Sequence, residues 1–166
     1  MHFETIATYL SYAAVLVTCI GYVRTNDNFL RGCIAISSGL LSLHFALLLH
    51  WIPAISLLIN AIRNQVSRYR TGIKWFLIFA TIQILISSLM FDRIKDLLPI
   101  IASLISGYAV FCANGMKLRI LMLVCTLMWF VHNIFYAALG AIILDTIGIA
   151  SNCYGMYKLN RNEVKK

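Results

Sequence analysis

The sequence predicts an all-α integral membrane protein. Seven transmembrane helices form two parallel three-helix repeats joined by a linker helix (3+1+3), with the N-terminus outside and the C-terminus cytoplasmic. Three observations predict it. First, the 166 residues are 61% hydrophobic and only 12% charged, against roughly 25% charged in a soluble domain. A soluble fold of this length has too little interior to hide that apolar surface, so the solvent is lipid. Second, the basic residues, all but two, fall on one side of the membrane only if there are seven spans. Third, the chain is self-similar at an offset of 88 residues.

The first span, 5–23, is Thr5–Val23. His2 and Glu4 precede it, and Arg24 and Arg31 follow it. A cleavable signal has the opposite polarity, so this helix is expected to be retained with its N-terminus outside. Gly32–Ile62 is uncharged for 31 residues, awkward for one helix of about 20. A break at His50-Trp51-Pro53 gives spans 30–49 and 52–70. The third span carries Arg63 and Arg68. Arg68 can snorkel to the interface, whereas Arg63 is deep and must face protein or a cavity. Span four, 74–91, contains a lone Gln83 of structural character, and span five is 96–115. Ile120–Tyr157 runs 38 residues, interrupted only by Asp145. A break near Ala138–Gly140 makes spans 118–137 and 140–158. Arg161–Lys166 reads as a loose tail.

With five helices the basic residues divide eight against six. With seven they divide twelve against two, the exceptions being Arg93 and Lys95 between Asp92 and Asp96. The positive-inside rule therefore selects seven. The whole chain, 1–166, is one membrane domain: a first repeat at 5–70, a linker helix at 74–91 and a second repeat at 96–158.

The net charge of +8 follows from the same topology signal. No basic patch is interleaved with aromatics, so nucleic acid is not an expected partner. The five cysteines are solitary within apolar runs and read as buried small hydrophobes. No metal constellation and no cofactor motif appears, nor does any catalytic signature such as HExxH or GxSxG. The sequence therefore points away from an enzyme.

The 88-residue offset aligns Asn28–Arg70 with Met116–Lys158 without a gap. Identities include Leu30/Leu118, Arg31/Arg119, His44/His132, Asn64/Asn152 and Tyr69/Tyr157. Arg, His and Asn are rare in membrane helices, so their coincidence at one register outweighs the apolar matches. Helices 1–3 correspond to helices 5–7. The intervening helix restores direction, and the repeats run parallel.

Several segments carry a family resemblance. They are Leu43-His44-Phe45, Leu58-Ile59-Asn60-Ala61-Ile62-Arg63, Leu97-Leu98-Pro99-Ile100-Ile101, Phe111-Cys112 and Trp129-Phe130-Val131-His132-Asn133. On these, over nearly the whole chain, the protein resembles the YgjV-type bacterial inner-membrane proteins. That family is in turn distantly similar to the SWEET and PQ-loop transporters, although no Pro-Gln motif is present here. The resemblance implies a multi-pass location in the bacterial inner membrane. It also implies a pocket with paired asparagines on helices 3 and 7, which Asn64 and Asn152 match by position.

Asn64 and Asn152 are the first candidates for substrate binding. An amide offers donors and an acceptor to a hydroxylated or carboxylated solute, and the competing role is helix–helix glue. Asn60 lies one turn before Asn64 on the same face. Asp145, the only carboxylate inside a span, is a proton-coupling group, a counter-ion to a cationic solute, an interfacial acid, or a partner for a His or Arg. Seven residues separate it from Asn152 on one face, with Gly148 between. His44 and His132 sit at matching depth, as substrate ligands or as neutral histidines bonded to a neighbouring helix. Trp129, His132 and Asn133 share a helical face, suited to stacking on a solute or to packing. Arg31 and Arg119 are expected as topology anchors.

The function these residues predict is a SWEET-like transporter or facilitator. It moves a small polar solute, such as a sugar, a sugar acid or another small metabolite, by alternating access. The rival is a receptor or partner protein that keeps the fold without transporting. A membrane enzyme using Asp145 and His132 is a third reading. The lipid bilayer is the partner expected from composition, and homo-oligomerisation is compatible with it.

Overall fold

The computed structural model describes residues 2–90, 97–135 and 139–164. They form seven helices: α1 (His2–Val23), α2 (Asp27–Leu47), α3 (Trp51–Ser67), α4 (Ile73–Met90), α5 (Leu97–Cys112), α6 (Gly115–Phe135) and α7 (Leu139–Val164). No strand occurs among the described residues. The helices α1, α2 and α6 are each long and apolar enough to cross a membrane, and α4 and α5 contain shorter apolar helices.

The break within the first long apolar stretch falls at Leu48–His50, just before the expected Pro53 turn. Leu49 takes the left-handed conformation there (φ 60). Pro53 lies in the first turn of α3, where a missing N–H costs no helical bond. The expected Ala138–Gly140 turn overlaps residues 136–138, which lie outside the described residues, as do 91–96 with Arg93 and Lys95. The tail differs from expectation. Arg161 and Asn162 continue α7, which stays helical to Val164.

Packing is inverted relative to a soluble domain. The buried apolar positions are mostly small: Ala7, Ala14, Cys33, Ala35, Ala54, Ala102 and Ala109. Large side chains such as Tyr9, Leu16, Ile36, Ile78, Leu85 and Ile143 point outward. Lipid tails are as apolar as leucine, so nothing drives large side chains inward. Small ones let backbones approach. On α1, Ala7, Ala14 and Gly21 recur every seventh residue and are buried. At Gly21 a Cβ would sit 2.7 Å from Cys33 Cβ, so α1 and α2 meet there at backbone range. Polar groups are buried in the same interior: Ser37, Ser42, Arg63, Asn64, Ser67, Arg119 and Asn152.

Each helix packs on the next in the chain, and α1 also packs on α7 while α3 touches α5. The segments α1–α3 and α5–α7 therefore meet along two seams, α1·α7 and α3·α5. Around the buried end of the bundle, Tyr22, Leu30, Val110, Phe111, Leu118 and Met122 belong to one buried apolar cluster.

Candidate functional site

Three polar features occupy the interior. The first lies where α1 and α5 end and α2 and α6 begin. Asn26 caps α2, its side-chain oxygen accepting from Phe29 N at 2.9 Å. The buried Arg31 reaches from α2 to the other half, donating to Ala113 O at 2.8 Å and Asn114 Oδ1 at 2.7 Å. Its counterpart Arg119, fully buried, reaches from α6 in the opposite direction. It donates to Tyr22 O at 2.7 Å and to Arg24 O. These acceptors sit at and just past the ends of α5 and α1, where carbonyls have no helical partner. A guanidinium, with five donors and a permanent charge, suits that task. Asp27 accepts from Gly115 N, and its charge acts on both guanidinium groups. Gly115 is left-handed (φ 57), a conformation glycine adopts without penalty.

The residues at this end obey the 88-residue offset. Asn26 and Asn114 are 88 apart, as are Asp27 and Gly115, and Arg31 and Arg119. Leu30 N donates to Asn26 O and Leu118 N to Asn114 O. Arg31 and Arg119 thus stand at the helix ends where anchors were expected, but buried, each clamping backbone of the other half. The part of Asn114 was missed in the sequence. Extending the repeat alignment two residues toward the N-terminus finds it.

The second feature is a cavity of about 250 Å³ between α1 and α2 of one half and α6 and α7 of the other. Its walls are apolar at Val15, Leu41, Ala141 and Leu144 and polar at Thr18, Ser37, Tyr22, Thr126 and Asp145. Thr18 Oγ1 and Ser37 Oγ are 2.7 Å apart across the α1–α2 contact. Gly148 forms part of the wall. Asn133 Nδ2 donates to Asp145 Oδ2 at 2.7 Å and ties α6 to α7. Sequence reasoning placed Asp145 among the site residues and missed Thr18, Ser37 and Thr126. Hydroxyls on helices are too common to single out by spacing.

The third feature is the polar face of α3. The guanidinium of Arg63, buried, donates to Ser103 O at 3.0 Å and Ser106 Oγ at 2.8 Å on α5. It lies against Gly107, where a Cβ would come within 3.3 Å of Nη1. Asn64 donates to Asn60 O at 2.7 Å within its own helix.

The remaining candidates are dispersed. Asn152 is fully buried two turns from Asp145 and donates to Arg119 O at 3.0 Å. The side-chain oxygens of Asn60, Asn64 and Asn152 are buried without a hydrogen-bond partner. Neither Asn64 nor Asn152 lines the cavity. His44 Nδ1 is 2.7 Å from Ala7 O on α1. Trp129 stacks edge-on against His132, with centroids 5.7 Å apart, and is 41% exposed. The structure therefore brings Asp145 together with Asn133 and the hydroxyls, and keeps the asparagine pair deeper.

The Imp-YgjV family, described as a bacterial inner membrane protein, matches residues 5–163. The chain is 26% identical over 133 residues to inner membrane protein YgjV of Escherichia coli (strain K12), covering 80% of this chain and 72% of that protein. No solved structure matches. The chain belongs to the YgjV family of bacterial inner membrane proteins, and its place is the inner membrane.

Proposed function

We propose that this inner membrane protein is a SWEET-like transporter or facilitator that moves a small polar solute by alternating access. All seven helices cross the membrane in this reading. Residues 5–70 and 96–158 are parallel repeats joined by α4, with the N-terminus outside and the C-terminus cytoplasmic. Such folds place the solute between the repeats and expose it by rocking one against the other.

The observation that carries the reading is the cavity between α1–α2 and α6–α7, with a carboxylate and hydroxyls on its wall. Polar groups are expensive inside a membrane bundle, and those on the wall of an otherwise apolar cavity mark solute or ion paths. The crossed Arg31 and Arg119 bonds close the cytoplasmic end. Asn152, Asn64 and Asn60 lie on the path that opens when those bonds release, their unpartnered oxygens serving as solute acceptors. Trp129, His132 and His44 line the outer approach. Asp145 binds the solute's polar head or couples protons. The reading assigns no catalytic residue, metal or cofactor.

The test is flux. Proteoliposomes loaded with a mixed pool of small polar metabolites are diluted, and the efflux is identified by mass spectrometry. The expected result is protein-dependent efflux of a subset, reduced about tenfold by Asn152→Ala, the scale of one lost hydrogen bond to solute. Efflux untouched by Asn152→Ala overturns the asparagine assignment. No efflux of any metabolite, with ligand binding retained, replaces transport by a receptor role.

A further inference from the structure

The polar wall of the cavity has an unusual hydrogen-bond polarity. Thr18 Oγ1 is 3.0 Å from Ala14 O, and Thr126 Oγ1 is 3.0 Å from Met122 O, both one turn back in their own helices. A hydroxyl has one proton and two lone pairs. With the proton committed to a helix carbonyl, each threonine has only lone pairs to offer. Thr18 and Ser37 lie 2.7 Å apart and share one proton between them, so the pair leaves at most one hydroxyl proton for a ligand. Tyr22 adds one hydroxyl to the wall, which can donate one bond as well as accept. Asp145 supplies carboxylate oxygens, which also accept. Its single bond among the described residues comes from Asn133, a neutral amide. No other lining residue carries a charge. The wall is therefore rich in acceptors, poor in free donors, and formally negative.

A sugar hydroxyl needs donors as well as acceptors and fits this wall poorly. An ammonium group has three donors, no acceptor and the compensating charge. Asp145 is half-buried, so part of its hydration is lost, and a charge-assisted bond to it is about twice as strong as a neutral bond. The apolar patch of Val15, Leu41, Ala141 and Leu144 accommodates a short hydrocarbon body. A volume of about 250 Å³ holds about eight water-sized groups at roughly 30 Å³ each.

We infer that the cavity is a binding site for a small organic ammonium ion, with Asp145 as its counter-ion and the oxygens of Thr18, Ser37 and Thr126 as acceptors. This deepens the transport reading by naming the solute class, and rests on it for what happens after binding.

The test uses the detergent-purified full chain and thermal unfolding, because a ligand that binds the native state must raise its midpoint. The probes are methylamine, ethanolamine and butylamine, each paired with its neutral counterpart: methanol, ethylene glycol and butanol. The expected result is a saturable rise with at least one amine and none with its neutral counterpart. Asp145→Asn is expected to weaken that amine at least tenfold, and Thr18→Val several-fold. Equal shifts with an amine and its counterpart overturn the inference, as does an amine response unchanged in Asp145→Asn. No response to any amine overturns it too. The wild-type amine-against-alcohol contrast needs no variant, so misfolding of Asp145→Asn leaves it decidable. Amine binding without flux overturns transport and leaves this site standing. Flux of neutral solutes without amine binding does the reverse.

Discussion

Along α7 the 88-residue offset sets Gly148 and Gly155 where α3 carries Asn60 and Ser67, and Ser151 where α3 carries Arg63. The two seams between the halves are therefore built differently at one register. At α1·α7 a Cβ on Gly155 would lie 2.0 Å from Tyr22 O and 2.7 Å from Arg119 Nη1, so the backbones touch. At α3·α5 the matched residue is Ser67, and one turn before it the Arg63 guanidinium crosses to α5, held by neutral groups there. The glycine seam leaves its cavity two turns away, beside Gly148 and Asp145. The arginine seam carries a cation in place of an opening. One seam thus closes on glycine beside a cavity, and the other is bridged by a buried cation.

The largest expected effect breaks the glycine seam. Gly155→Ala should lower stability by about 3 kcal/mol, the upper end for overpacking, because the added methyl meets backbone. Ser67→Ala at the matched position removes only a hydroxyl bonded to its own helix at Asn64 O and should cost no more than about 1 kcal/mol. Thermal unfolding in detergent compares the two, and equal losses would erase the distinction between the seams.

Next come the arginines, which separate by what they leave behind. Arg119→Met strands the carbonyls of Tyr22 and Arg24, and should cost about 2 kcal/mol. Arg63→Met removes a buried cation whose partners are serine hydroxyls and a carbonyl already inside a helix. That exchange should fall within about 1 kcal/mol of neutral, on either side. Denaturant midpoints of the two variants would show the order, and Arg63→Met as the costlier change would contradict it. The smallest effect is expected at Gly148→Ala, where the nearest atom to a new Cβ is Thr126 Cγ2 at 3.7 Å, ordinary contact. Stability should stay within about 0.5 kcal/mol while ligand response falls, since the methyl enters the cavity wall.

Much of this was legible in the sequence. Composition and run length gave the helices within a few residues, since lipid demands continuous apolar stretches. The offset gave the matched arginines and asparagines. The partners of those residues were not legible. Arg31 and Arg119 looked like anchors because position in a run reports depth, not direction. That each reaches across to the opposite half depends on how the helices are arranged around the bundle. The cavity was hidden for the same reason. Thr18, Ser37 and Thr126 lie on three helices and share no spacing, and only their meeting beside Asp145 gives them meaning. The helical continuation to Val164 was missed because a charged tail carries no apolar period.

The measurement that tests alternating access most directly places one cysteine in the cavity. Ser37→Cys, in a chain whose five native cysteines are replaced, is reconstituted into vesicles and treated with a membrane-impermeant thiol reagent from each side in turn. If the proposed transport cycle operates, labelling from both sides is expected, with the Arg31 and Arg119 bonds released in one of its two states. Labelling from one side only, under every condition tried, would contradict it.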